Sequence, residues 1–218
     1  MHDPIRLAVI LSGSGTTLQN LLDRITAGLL RAEIALVVSN KPEAFGLTRA
    51  KQAGLPTVVV ERKTYSSREA FSEQIFTHCR QAQVDLVGLA GFLALLHIPE
   101  DFRHRVLNIH PALIPAFCGK GFYGLAVHRA ALEAGVKVSG CTVHFADNEY
   151  DHGPIVSQRV VPVLDDDTPE SLAQRVFAAE CEAYPQAIEW FAQGRLAVVG
   201  RRVYLKSPSP PLGGEGLG

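Results

Sequence analysis

The sequence predicts an α/β fold built around a largely parallel sheet. Its first half alternates short β-branched runs with segments of helical periodicity, so strands and helices follow one another at a regular pitch. The chain has 218 residues, which corresponds to one large domain or two small ones and is long enough to bury a sizeable core. Because parallel neighbours must be joined by crossovers, this order indicates βαβ units with right-handed connections.

The elements of the first half are bounded by changes in periodicity. Strands are predicted at Ile5–Leu11, Ile34–Ser39, Thr57–Val60, Leu86–Ala90 and Val106–Ile109. Helices are predicted at Leu18–Thr26, Ala44–Ala53 and Arg68–Ala82. Ser66 and Glu69 have the spacing of a capping box, which predicts that they cap the third helix together.

The second half begins with a Gly-rich loop, 111–124, and has fewer alternations. The predicted elements are a helix at Leu125–Ala134, strands at Ser139–Phe145 and Ile155–Val163, and a hairpin of Leu196–Val199 with Arg202–Leu205. Between them, Thr168 and Pro169 start a long helix that runs to about Gly194 and is kinked or interrupted at Pro185. We expect residues 1–205 to form a single domain and the Pro/Gly-rich residues 206–218 to be a disordered tail.

Composition limits the possible partners and the compartment. The net charge of -1 gives no electrostatic case for nucleic acid or an anionic membrane. The four cysteines are widely spaced, without CxxC or Cys/His patterns, which is typical of reduced thiols and not of metal ligands. The N-terminal apolar run is too short to span a bilayer and lacks a signal-peptide pattern. We therefore expect a cytoplasmic protein with small-molecule substrates and no metal.

The segment LAVILSGSGTTLQNLL indicates a strand, a tight turn and a helix. Backbone N–H groups of Gly13, Ser14, Gly15, Thr16 and Thr17 at the helix N-terminus would cradle a phosphate, with the hydroxyls of Ser12, Ser14, Thr16 and Thr17 as further donors. Leu18 stands where a dinucleotide fingerprint needs a third glycine, and no Gly-Lys-Ser/Thr follows. The loop is thus either a monophosphate site or a plain βα turn.

The segment RVLNIHPALIP contains the first candidate catalytic side chains. Asn108 and His110 are two residues apart on a strand, so both point to the same face, and Pro111 ends the strand where parallel sheets bind ligands. An amide can donate to a developing oxyanion, and an imidazole can carry a proton near neutral pH. The alternative is a histidine that is only structural.

Asp151 is the candidate partner of His110. It lies in a turn just before a predicted strand, where its carboxylate would favour the imidazolium form of His110. The alternative is an Asx-type turn residue without a catalytic role. His144 is expected either to face the same cleft or to pack, whereas His128 and His152 are expected in surface or loop positions.

Six segments together resemble one enzyme family. They are SGSGTTLQNLL, VVSNKPEAFGLTRAKQAGLPT, VDLVGLAGF, VLNIHPALIP, TVHFADNEYDHGPIV and WFAQGRL. In this order they are similar to the phosphoribosylglycinamide formyltransferases of purine biosynthesis, over about residues 5–198. The resemblance implies a Rossmann-like three-layer sandwich of the formyltransferase type, with a mixed, mostly parallel seven-stranded sheet. It also implies a monomer or homodimer that uses 10-formyltetrahydrofolate as co-substrate.

The resemblance further implies a role for each site residue. Asn108, His110 and Asp151 match the catalytic trio, and Gly13–Thr17 with Glu180 match the ribonucleotide site. Residues matching the folate site are Arg68, Leu93, Ala94, Leu95, Leu96 and Asn108. The alternatives are a methionyl-tRNA formyltransferase, which would need a further domain and a basic surface, a formyltetrahydrofolate hydrolase, and a non-catalytic module that binds a phosphorylated ligand.

Overall fold

The computed structural model describes residues 3–207 and contains one nine-stranded sheet with the order β3-β2-β1-β4-β5-β6-β7-β9-β8. The strands are β1 (Ile5–Leu11), β2 (Ala32–Ser39), β3 (Thr57–Val59), β4 (Leu86–Leu89), β5 (Val106–His110), β6 (Val138–Phe145), β7 (Ile155–Pro162), β8 (Leu196–Val199) and β9 (Arg202–Leu205). The pairs β5–β6, β6–β7 and β8–β9 are antiparallel, and the other neighbours are parallel. The prediction of a mixed, mostly parallel sheet is confirmed.

The sheet has nine strands and not the expected seven. The predicted C-terminal hairpin forms, and its strand β9 pairs with the outer edge of β7 through Ile155 and Arg202. An edge strand offers unpaired N–H and C=O groups to any extended segment that can reach it. Local alternation predicts the hairpin itself but says nothing about the edge on which it docks.

Five helices cover the sheet. They are α1 (Thr16–Thr26), α2 (Phe45–Gln52), α3 (Arg68–Gln81), α4 (Leu125–Glu133) and α5 (Pro169–Ala192), and short 3₁₀ turns form at Arg62–Thr64 and Glu100–Phe102. The N-cap of α3 is Ser67, whose Oγ accepts from the Ala70 N–H at 3.0 Å, so the predicted Ser66–Glu69 box is wrong. Helix α5 has the expected Thr168 cap and continues without interruption through Pro185.

The alternation of β1 shows how the layers form. Leu7, Val9 and Leu11 pack into a core shared with α1, α2, α4 and α5, whereas Ala8 and Ile10 pack into a second core that contains α3. Every one of these five side chains is fully buried. A strand with both faces covered lies in the middle of a three-layer sandwich, as the sequence predicts.

Tyr184 of α5 braces the two strands that lead to the site. Its buried hydroxyl lies 3.1 Å from the Leu89 carbonyl oxygen and 2.9 Å from that of Leu107, so it bridges β4 and β5. A Cβ atom at Gly88 would come within 2.9 Å of this hydroxyl. The absence of a side chain at Gly88 therefore lets the phenol reach between the strands.

The folded chain extends to the start of the predicted tail. Lys206 donates its N–H to the Arg195 carbonyl at 2.8 Å, and Arg195 Nε donates back to the Lys206 carbonyl at 2.9 Å. Residues 208–218, which make up the rest of that tail, lie outside the described residues. Within residues 3–207, no helix combines the length and apolar character that a membrane crossing requires.

Candidate active site

A cleft of about 590 Å³ opens at the carboxyl ends of β1, β4 and β5. Thr16 and Thr17 lie in its wall, together with Asn108, His110 and Asp151. The loop 119–124 and helix α5 complete the lining. The structure thus brings the predicted trio and the last two residues of the predicted phosphate loop into one cavity.

Asn108 is held by two side chains from outside β5. Its Nδ2 lies 3.0 Å from His144 Nε2, because His144 is directly opposite on β6, and 3.3 Å from Asp151 Oδ1. The second ring nitrogen of His144 donates to the Phe145 carbonyl at 2.9 Å, which leaves Nε2 as the acceptor of the Asn108 amide. His144 therefore packs beneath the cleft and orients Asn108.

Asp151 connects the trio to the loop above it. It has a left-handed φ of 52°, and its Oδ2 accepts from the Gly119 N–H at 2.8 Å and lies 3.5 Å from His110 Nδ1. Burial alone raises the pKa of this carboxyl, but His144, His110 and the Gly119 N–H outweigh it, so the net pKa is below its usual value. Asp151 is therefore an anion in the cleft.

His110 is buried, with one ring nitrogen hydrogen-bonded and the other facing a carboxylate. Its Nε2 donates to the Phe117 carbonyl at 2.9 Å, and its Nδ1 faces Asp151. Burial lowers the pKa of His110, and the Asp151 carboxylate and the Phe117 carbonyl offset that effect only in part. We expected Asp151 to favour the imidazolium; it does so, but desolvation is larger and the net pKa lies below the ordinary value.

The predicted phosphate loop is packed from behind by α2. Gly15 has φ 71°, and a Cβ there would lie 2.5 Å from Gly46 Cα. Gly46 donates its N–H to the Gly13 carbonyl at 3.0 Å, and Arg49 Nε donates to the Ser14 carbonyl at 3.0 Å. Residues 13–15 therefore form the turn itself, while Thr16 and Thr17 at the N-terminus of α1 face the cleft.

Ser12 is not free to act as the further phosphate donor that the sequence suggested. Its hydroxyl donates to Asn40 Oδ1 at 2.7 Å and accepts from the Leu93 N–H at 3.0 Å. It is buried, and it ties the ends of β1 and β2 to the segment after β4. Its role is structural.

Glu180 reaches the cleft from α5, along with Phe177 one turn earlier and Ala173 two turns earlier. Burial raises the pKa of Glu180 to about 7. Within residues 3–207, its carboxylate has no ion pair or hydrogen bond. The cleft therefore contains a carboxyl group that changes charge near neutral pH.

A smaller hollow of about 60 Å³ adjoins the cleft and shares Asn108 and Asp151 with it. Ala94, Leu95 and Leu96 line the hollow, whereas Leu93 lines the main cleft. Arg68 lines neither cavity. Its guanidinium donates to the Asn148 carbonyl at 3.3 Å, which places it beside the loop that forms the rim of the hollow.

Two histidines that looked alike in the sequence lie in different environments. His152 is exposed in its turn, where it contacts Asp147 at 2.8 Å and the Arg201 guanidinium. His128 is only 4% exposed and lies in the wall of the cleft, so its expected surface position is wrong. The available signal was its spacing of three from Ala131 on the buried face of α4.

The described lining of the cleft carries charges of both signs, from Lys120 and Asp151. Lys120 is the one lysine or arginine in the described lining of the cleft, and it faces the same cavity as Thr16 and Thr17. Among residues 3–207, no group of three or more His, Cys, Asp or Glu side chains is arranged to hold a metal ion. Asn108 and Asp151 line both the cleft and the hollow, and His110 lines the cleft.

Comparison with known proteins shows the family of this chain. A family model described as formyl transferase matches residues 5–188. The chain belongs to the formyl transferase family. Phosphoribosylglycinamide formyltransferase of Haemophilus influenzae is 38% identical over 211 residues, covering 96% of this chain and 97% of that protein. Trifunctional purine biosynthetic protein adenosine-3 of Drosophila melanogaster is 45% identical over 193 residues, but the chain spans only 14% of its length.

Solved structures extend the comparison. Glycinamide ribonucleotide transformylase 1 from Symbiobacterium toebii is similar with a TM-score of 0.87 and 45% identity, covering 93% of this chain and 94% of that chain. A formyltetrahydrofolate deformylase from Pseudomonas syringae has a TM-score of 0.82, and at 24% identity it shares the fold alone.

Proposed function

We propose that this chain transfers a formyl group from 10-formyltetrahydrofolate to the amino group of 5-phosphoribosylglycinamide. The observation that carries the proposal is that Asn108 and Asp151 line both cavities, with His110 beside them in the larger one. The larger cavity begins at the N-terminus of α1, which is suited to a phosphate, and the smaller one is lined by the segment matched to folate. The acceptor amine and the formyl donor would meet at the trio.

The first step is attack of the substrate amine on the formyl carbon, which forms a C–N bond and turns the carbonyl oxygen into an oxyanion. An N–H of Asn108 stabilises that oxyanion. Both Asn108 N–H groups already have partners, one in His144 and one in Asp151. The oxyanion accepts the N–H directed at Asp151, because that 3.3 Å contact is the longer of the two. One such donor contributes roughly 3–4 kcal/mol in comparable sites.

The second step breaks the bond between the formyl carbon and the folate nitrogen. The attacking nitrogen loses a proton and the departing nitrogen gains one, so no other reactant is needed. His110 carries this proton, with its Nδ1 held 3.5 Å from the Asp151 carboxylate. General acid–base transfer of this kind contributes on the order of 10²–10⁴ in rate.

The remaining expectations belong to the same proposal. We expect one domain over residues 1–205, a cytoplasmic enzyme, and a monomer or homodimer that needs only small-molecule substrates and no metal. Thr16, Thr17 and Glu180 would contact the ribonucleotide, and Arg68 with Leu93–Leu96 would contact the folate. Light scattering after size exclusion measures the oligomeric state.

A coupled assay of tetrahydrofolate release, with and without phosphoribosylglycinamide, tests the proposal. We expect release only when the ribonucleotide is present, and a fall of about 10²–10³ in kcat for Asn108→Ala. Gln81→Ala, which removes an exposed amide at the end of α3, is the matched control and should leave kcat unchanged. Equal release without the ribonucleotide would indicate a hydrolase instead.

A further inference from the structure

His128 is a buried polar side chain that neither the fold nor the proposed mechanism uses. It lies on α4 with 4% exposure, and its Nδ1 has no hydrogen-bond partner among the described residues. Unsatisfied buried polar atoms are rare in folded proteins because each costs free energy. If His128 were purely structural, an apolar side chain of the same size at this position would make the fold more stable.

The proton of the neutral imidazole belongs on Nε2. A buried N–H without an acceptor is less tolerable than a buried lone pair without a donor, so Nδ1 carries the lone pair. Nε2 forms no hydrogen bond within residues 3–207 either, but unlike Nδ1 it is not sealed from solvent. Because His128 lines the cleft, this N–H donor is presented to the bound ligand.

The neighbours of His128 keep it neutral and define its place along the cleft. Burial lowers the pKa of His128, and the nearby His110 lowers it further. His128 and His110 line the same cleft and are near enough for their charges to interact. The two threonines that start α1 mark the phosphate end, so a donor near His110 faces the middle of a bound ribonucleotide.

We infer that His128 is a substrate-binding residue that donates a hydrogen bond from Nε2 to an oxygen between the phosphate and the amine. That oxygen is a ribose hydroxyl or the glycinamide carbonyl. The inference rests on the proposed function, since it names a further contact of the same substrate. It explains why a polar side chain occupies a position where burial leaves it unsatisfied.

Three substitutions distinguish this role from a structural one. His128→Phe removes the donor, and we expect the dissociation constant for phosphoribosylglycinamide to rise about tenfold. The KM for 10-formyltetrahydrofolate should not rise, and the Tm should not fall. His128→Gln places an N–H near the Nε2 position and should restore most of the affinity. His128→Asn places its amide near the Nδ1 position and should not.

Ser139→Ala is the matched control. Ser139 is also buried with an unpartnered hydroxyl, but it lies near the start of β6 and does not line the cleft. Its replacement should leave both ligand affinities unchanged and should not lower Tm. A similar loss of ribonucleotide affinity in this variant would mean that the His128 effect is general destabilisation.

Calorimetric titration separates the inference from the proposed function. Wild-type protein that binds the ribonucleotide but does not transfer the formyl group would overturn only the proposed function. Unchanged ribonucleotide affinity in His128→Phe would overturn only the inference, and a wild-type protein that does not bind it would overturn both. Titration with ribose 5-phosphate identifies the acceptor: a similar loss in His128→Phe indicates a ribose hydroxyl, and no loss indicates the glycinamide carbonyl.

Discussion

Replacing Asp151 by Asn tests the electrostatics of the site most directly. The change removes the negative charge of a carboxylate whose Oδ2 lies 3.5 Å from His110 Nδ1, while the side chain keeps its size. At an effective dielectric of 20, two unit charges at 3.5 Å interact by ~5 kcal/mol, and in bulk water by ~1 kcal/mol. Because the cleft is open to solvent, we expect a loss of about 2–3 kcal/mol of imidazolium stabilisation, or roughly 30- to 150-fold in kcat.

The sign of the pH effect follows from the contributions to the pKa of His110. Burial already lowers this pKa below the ordinary 6.5, and the Asp151 carboxylate opposes that shift. Without the carboxylate the pKa falls further, so less imidazolium is present at neutral pH. The limb along which activity is lost as His110 deprotonates should therefore move to lower pH in the variant.

Profiles of kcat and kcat/KM against pH measure both effects. We expect the ribonucleotide KM to change little, since its phosphate would bind at the far end of the cleft. Asp165→Asn, at a carboxylate that is 99% exposed, is the control for loss of charge alone. An unmoved limb combined with a raised KM would show that Asp151 only shapes the turn or binds substrate, and its electrostatic role would be withdrawn.

Three further predictions concern the loop, the acidic group in the cleft and the tyrosine brace. Gly15→Val should weaken ribonucleotide binding more than folate binding and also lower Tm, because its Cβ would lie 2.5 Å from Gly46 Cα. The control Gly13→Ala, with no atom within 4 Å of the new Cβ, should leave Tm unchanged, and equal Tm values for both variants would contradict this prediction. Since the pKa of Glu180 is about 7, the ribonucleotide KM should fall as the carboxyl ionises with rising pH, whereas Glu180→Gln should abolish that dependence; a flat wild-type profile would exclude an ionic role. Tyr184→Phe should lower Tm by about 2–4 °C through loss of ~1 kcal/mol, measured by calorimetry, and an unchanged Tm would show that the bridge between β4 and β5 contributes nothing.

Local patterns in the sequence were sufficient for most of the elements and for part of the site. The period of two along β5 places Asn108 and His110 on one face, and Thr168 with Pro169 marks the start of α5. The glycine turn before α1 can also be predicted from the sequence, because it needs only a local backbone conformation. These features depend on neighbours a few residues apart, which is why the sequence determines them by itself.

Tertiary structure decided the features that join distant segments. Asp151 meets Asn108 across 43 positions, and β9 docks on β7 rather than standing apart. The direction of the shift in the His110 pKa also had to come from the structure, because the sequence predicted a nearby carboxylate but not the depth of burial. Desolvation depends on everything packed around a group, and a sequence pattern records only what lies beside it along the chain.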